Sequence, residues 1–152
     1  MSSNARVLSR SLTIDAAPSV VFDLLADPRR HADIDGSDTV RAQLRGPQRL
    51  SPGARFGMRM HKAVPYIITN TVVAFEQDRV LAWRHLGRHV WRYQLEPVEG
   101  GGTRVTESFE WGGALVPALL ERLNIPASNA RAIEKTLPRL KALAEQPTTP
   151  PS

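Results

Sequence analysis

The spacing of apolar and polar positions changes character along the chain. Residues 8–14 alternate weakly and predict a first strand. Pro18 then stands where the first turn of a helix tolerates proline. Val20, Val21, Leu24 and Leu25 follow as an apolar stripe at helical spacing, with Asp23 facing away. Asp27-Pro28 ends that helix. The next stretch, RRHADIDGSD, is polar; it is expected to begin as a short helix and to become a solvated loop at Gly36.

From 38 to 111 the segments are rich in Val, Thr, Ile, Phe and Trp. Turn signals separate them at Gly46-Pro47, Ser51-Pro52-Gly53, Ala63-Val64-Pro65, Gln77-Asp78, Gly87 and Gly100-Gly101-Gly102. The pattern predicts six further strands over 38–45, 54–62, 66–76, 79–86, 89–97 and 103–111, and connections this short require antiparallel hairpins. The Gln77-Asp78 turn leaves two pairings open for the 66–76 strand. After Gly112-Gly113 the period turns helical. An apolar piece over 114–123 is broken at Asn124-Ile125-Pro126, and a long helix is expected from about Ala127 to Gln146. Ile133, Leu137, Leu140 and Ala144 share one face of it, and Pro138 removes one backbone donor. The expectation is an α+β fold: one domain over 1–146 in which an antiparallel sheet is covered by the last helix, and a disordered tail over 147–152.

Composition narrows the classes. The 152 residues contain no cysteine, which excludes disulfides, a thiolate nucleophile and thiolate metal ligands. No run of about 18 apolar residues is present, so no membrane insertion is expected. MSSNARVLSR lacks a secretory apolar segment, and a cytoplasmic location is the default. The net charge of +5 invites a nucleic-acid reading. The arginines are scattered from Arg6 to Arg139, with only pairs such as Arg29-Arg30, so nucleic acid is not the expected partner.

The stretch WRHLGRHVW (83–91) is nearly palindromic about Gly87. His85 and His89 have the spacing of two metal ligands on a helix, but Gly87 disfavours helix while Trp, Val and Tyr favour strands. If Leu81, Trp83 and His85 face the same side as His89, Trp91, Tyr93 and Leu95, the loop must be odd: Leu86-Gly87-Arg88. The symmetry then becomes a cross-strand ladder of His85–His89, Trp83–Trp91 and Leu81–Tyr93. A metal there would need third and fourth ligands that the sequence does not offer, and none is expected. The loop 98–102 extends the ladder, setting Leu95 opposite Val105, Tyr93 opposite Glu107 and Trp91 opposite Phe109. A carboxylate on an apolar face is costly unless it is paired or faces a wet cavity. Either a bulge turns Glu107 outward, or Tyr93 satisfies it, or both line a ligand cavity with a histidine. Asp33 begins a superficially calcium-like run, but Gly36 falls at its fourth position and Leu44 at its twelfth. On 54–62, Phe56, Met58 and Met60 are expected inward, Arg59 and His61 outward.

Several pieces carry a family resemblance: IDAAPSVVFDLLADP (14–28), PGARF (52–56), LAWR (81–84), WRYQLEPVEGGGTRVTE (91–107) and LKALAE (140–145). Together they resemble the polyketide cyclase/dehydrase-like branch of the START-related (SRPBCC, helix-grip) superfamily of bacterial and other proteins. The resemblance implies a curved seven-stranded antiparallel sheet around a long C-terminal helix, with two short helices after the first strand. It also implies a hydrophobic cavity between sheet and helix. Members bind lipids, sterols, hormones or polyketides, and some cyclise or dehydrate the bound molecule. No universal catalytic motif transfers. Where many relatives carry a tryptophan-containing stretch near the cavity mouth, this chain has His31-Ala32-Asp33-Ile34-Asp35, a polar mouth that argues against a purely lipid ligand.

The resulting expectation is a monomer or homodimer that binds a hydrophobic or aromatic small molecule without a cofactor. Glu107, Tyr93 and His85 are the candidates for proton transfer in a cyclisation or dehydration. Trp83, Trp91, His89, Leu95 and Phe109 are the candidates for holding the ligand. The alternatives are a non-catalytic lipid or quinone carrier or sensor, and a ribosome- or protein-interacting member of the same fold.

Overall fold

A computed structural model describes residues 6–37, 40–62, 64–85 and 88–146. Seven strands are present: β1 (Val7–Ile14), β2 (Val40–Arg45), β3 (Arg55–Lys62), β4 (Val64–Glu76), β5 (Val80–Arg84), β6 (Val90–Pro97) and β7 (Thr103–Glu110). They form one antiparallel sheet in the order β1-β7-β6-β5-β4-β3-β2. Helices α1 (Pro18–Leu25) and α2 (His31–Ile34) follow β1, separated by a single turn at Pro28–Arg30. Helices α3 (Pro117–Arg122) and α4 (Ile125–Ala144) close the chain. No helix among the described residues is long and apolar enough to cross a membrane.

Strand alternation explains the two faces. On β6, Tyr93 and Leu95 are buried while Gln94 and Glu96 are exposed. The outer face is held by polar cross-strand pairs: Arg92 with Glu110 at 2.7 Å, Ser9 with Ser108 at 2.8 Å, and Ser11 with Thr106 at 2.8 Å. The inner face packs against α4, which contacts β1, β7, α1 and α2. Ile133, Leu137, Leu140 and Ala144 are the buried face of α4, as their spacing predicts. Phe56, Met58 and Met60 point inward, and Arg59 and His61 are exposed.

The register matches the ladder expected from the sequence. Leu81 pairs with Tyr93 and Trp83 with Trp91. Across the next hairpin, Leu95 pairs with Val105, Tyr93 with Glu107 and Trp91 with Phe109. Leu86 and Gly87 of the expected loop lie outside the described residues, as do Asp38, Thr39 and the 147–152 tail. The open register of β4 is decided by Glu76 opposite Val80 and by a bulge between Val72 and Ala74. The extra residue keeps both Val72 and Phe75 inward, and Phe75 meets Phe22 edge-on at 5.3 Å.

Two expectations need correction. The long helix begins at Ile125, not Ala127, because Pro126 falls in its first turn, where no donor is missed. Asn124, left-handed at φ 60°, makes the break from α3, and α4 runs on through Pro138. The 29–37 stretch begins as the expected short helix but does not become a solvated loop at Gly36. His31, Ile34 and Gly36 are buried there: His31 stacks on Trp83 of the sheet and Gly36 packs onto α4. Gly36 donates its backbone N–H to Thr136 Oγ1 at 2.8 Å. A Cβ at Gly36 would stand 2.1 Å from the Ala132 carbonyl oxygen, so only glycine permits this approach.

Candidate functional site

Between α4, α2 and the inner face of β3–β7 lies a cavity of about 490 Å³. Its apolar wall includes Met58, Met60, Ile68, Trp83 and Trp91, and Tyr66 stands beside them. Its polar groups come from three directions: Asn70, Tyr93 and Glu107 from the sheet with His85 and His89 at the ends of the β5–β6 connection, His31 and Asp35 from the α2 segment, and Ser128, Asn129, Arg131, Lys135 and Thr136 from α4.

Cross-strand register brings Tyr93 and Glu107 together. The Tyr93 hydroxyl donates to Glu107 Oε2 at 2.8 Å, and both side chains are buried. Of the three readings open for Glu107, the outward bulge is therefore excluded. Burial pushes the Glu107 carboxyl up to about 8, outweighing the Tyr93 hydrogen bond that lowers it; the nearby Asp35 charge adds to the rise. Burial, together with Glu107, also drives the Tyr93 hydroxyl well above its usual range. At neutral pH this pair holds both its protons.

His85 and His89 stack with ring centroids 4.6 Å apart, and the backbone N–H of His85 donates to the backbone carbonyl of His89 at 3.2 Å. Burial, with the neighbouring His89, lowers His85 to about 3; burial also lowers His89. Both imidazoles are therefore neutral. Among the described residues no group of three or more His, Asp or Glu side chains could hold a metal ion.

Trp83 is the hub of the apolar wall. It stacks on His31 at 4.9 Å, meets Phe56 edge-on at 5.8 Å and lies tilted to Tyr93 at 5.7 Å. His31 Nε2 hydrogen-bonds the Leu25 carbonyl at 2.9 Å, and burial depresses its basicity. Three buried polar atoms have no hydrogen-bond partner among the described residues: Asn70 Oδ1, His89 Nδ1 and Glu107 Oε1. All three belong to side chains of this one cavity. Each such atom costs about 1–3 kcal/mol when nothing satisfies it.

Residues 5–145 match the family model described as polyketide cyclase / dehydrase and lipid transport. The chain belongs to that family. An uncharacterized protein of Mycobacterium tuberculosis strain H37Rv is 38% identical over 138 residues, and its counterpart in strain CDC 1551 is 37% identical. In both cases the match covers 88% of this chain and 62% of the relative, so the chain spans less than two thirds of their length. Among solved structures, a Nitrosomonas europaea protein superposes with a TM-score of 0.72 at 15% identity, covering 93% of this chain and 95% of that one. The AHSA1-like protein of Aeromonas hydrophila gives 0.63 at 19% identity, covering 93% and 99%. At such identities the likeness is one of fold.

Within this family fold, the structure brings six of the eight sequence candidates to one cavity: Trp83, His85, His89, Trp91, Tyr93 and Glu107. Leu95 and Phe109 share their face but are core residues, 2% and 0% exposed, and do not line the cavity. Leu95 lies on β6, which contacts α1, and Phe109 is packed among the rings of His89, Trp91 and Trp111. Sequence reasoning missed Asn70, and it had His31 only as part of the polar mouth that the family resemblance implied. Asn70 stands in the same inward row as Ile68 and Val72, so the argument that singled out Glu107 would also have found it. His31 carried no comparable signal, because only docking of α2 onto the sheet buries it.

Proposed function

We propose that the chain binds an apolar or aromatic small molecule carrying oxygen functions, held in the cavity between α4 and the sheet. One observation supports this above the others: the three unpartnered buried polar atoms, on Asn70, His89 and Glu107, all belong to one cavity wall. A plain hydrocarbon chain would leave them unsatisfied. A ligand with hydroxyl or carbonyl groups would meet them, while Trp83, Trp91 and the methionines take its carbon skeleton. The volume, about 490 Å³, lies in the range of small-molecule sites.

The test is titration of the intact chain with phenylnaphthylamine, an uncharged aromatic whose fluorescence rises on leaving water, followed by native mass spectrometry of freshly purified protein. A saturable signal with one site per chain, quenching tryptophan emission, supports the reading. No binding at any accessible concentration overturns it. A bound mass lost on denaturation would supply the ligand.

A second reading, catalysis of dehydration or cyclisation, is favoured by the protonated state of Glu107 near neutrality. A neutral carboxyl can pass its proton to a hydroxyl leaving as water, while Tyr93 keeps the carboxyl oriented. A base is then needed for the carbon-bound proton. His85, neutral down to about 3, is a weak acceptor. His89, whose Nδ1 is unpartnered, is the better one. Incubation of the recovered ligand with the chain should remove one water by mass, and Glu107→Gln should abolish that loss while retaining binding. Full-rate loss in the variant would end this role for Glu107.

A further inference from the structure

The cavity has a charged lip that the oxygen-binding reading does not use. Ile125, Ser128, Asn129, Ala132 and Thr136 recur at three- and four-residue steps along α4 and form one wall. Arg131 and Lys135 join that wall at its exposed edge. They are one helical turn apart, with Cβ atoms about 5–6 Å from each other, close enough for both side chains to reach a single small anion. Like charges at this spacing weaken a helix.

Nothing in the described protein neutralises them. Arg6, Arg10, Arg29, Arg30, Arg49, Arg92 and Lys141 each pair with a carboxylate. Arg131 and Lys135 have no side-chain partner among the described residues. The acidic residues of α4 are engaged elsewhere, Glu134 by Arg10 and Glu145 by Lys141. The carboxylate on the cavity's α2 side, Asp35, accepts from the Ser37 N–H and hydroxyl and from the Val40 N–H. A net charge of +5 adds a field that favours anions at the mouth.

We infer that the cavity takes an aromatic organic acid, its ring system inside and its anionic group at the mouth between Arg131 and Lys135. This rests on the cavity-binding reading and adds the ligand's polarity to it. Asn70, His89 and Glu107 then face the body of the ligand, and the two α4 cations face its acidic end. Arg131 supplies a planar fork of donors and Lys135 a mobile point charge, a combination suited to a carboxylate or sulfonate.

The test uses two probes that differ by one anionic group, phenylnaphthylamine and anilinonaphthalene sulfonate. Both are titrated into the full chain, into Arg131→Gln, Lys135→Gln and the double variant, and into the charge-conserving Arg131→Lys. The wild type is expected to hold the sulfonate about tenfold more tightly than the neutral probe. The double variant should lose that preference while its affinity for the neutral probe stays within about twofold, which also shows that the cavity is intact. Arg131→Lys should recover part of the preference, and raised salt should erode it wherever it persists while leaving the double variant unchanged.

If the neutral probe binds and the preference is absent, or survives in the double variant, the inference fails and the cavity reading stands. If neither probe binds the wild type, both fail. The same variants are mixed with phosphatidylglycerol vesicles. Loss of vesicle binding without loss of sulfonate preference would assign the cations to an anionic membrane surface and overturn the inference.

Discussion

The hydroxyl of Tyr93 donates to Oε2 of Glu107 at 2.8 Å, from directly opposite positions on β6 and β7, inside a wall of tryptophan and methionine. The bond satisfies one carboxyl oxygen and leaves the other facing the cavity. Much of what can be measured follows from that half-satisfied pair.

Glu107 should make stability fall as pH rises. Its carboxyl titrates near 4.5 when unfolded and near 8 when folded. Below 4.5 both states hold the proton and Glu107 carries no ionisation penalty. Between 4.5 and 8 only the unfolded chain ionises, so stability drains away with rising pH and levels off above about 8. Glu107→Gln removes this dependence. Thermal melts of the two proteins should differ least at acid pH, and the variant's advantage should grow through neutrality to a few kcal/mol. A gap that narrowed with rising pH would contradict the burial argument.

His85 should act at the other end of the scale. Its imidazole is held to about 3 in the fold and titrates near 6.5 without it. Stability from the neutral ring is complete above 6.5 and is lost as pH falls through 6.5 toward 3. His85→Gln should therefore move acid unfolding, followed by circular dichroism, to lower pH. Burial lowers His89 and His31 as well, so the single change should relieve only part of the acid sensitivity.

Trp83 and Trp91 face each other on β5 and β6 but should respond differently to truncation. Trp83 is 8% exposed and packs on three rings, so Trp83→Ala should cost about 3–5 kcal/mol in denaturant unfolding. Trp91 is half-buried, and its removal should cost clearly less. Its larger effect should be weaker binding of phenylnaphthylamine.

The α2 segment hangs on Gly36 and Thr136. Gly36→Ala forces a methyl group into the α4 backbone and should destabilise by several kcal/mol or displace α2. Thr136→Val keeps the shape, loses the 2.8 Å hydrogen bond and should cost about 1–3 kcal/mol. Because His31 stacks on Trp83, both changes should also alter tryptophan fluorescence.

Most of the sheet was legible in the chain because strand alternation has a period of two. Once Tyr93 and Leu95 are taken as inward, the parity of two short loops forces Trp83 opposite Trp91 and Tyr93 opposite Glu107. The sequence by itself therefore determined element order, the registers of the β5–β6 and β6–β7 hairpins, the buried face of α4 and six of the cavity residues. Tertiary structure decided what local periodicity cannot encode. The bulge at Val73 reflects packing of Phe75 on Phe22, residues far apart in the chain. His31 reads as polar and solvated until α2 docks on the sheet, and Leu95 and Phe109 read as cavity residues until the packing that buries each of them is known. The state of Glu107 belongs to the same class: a carboxyl keeps its proton at neutral pH only when enough of the fold surrounds it to exclude water.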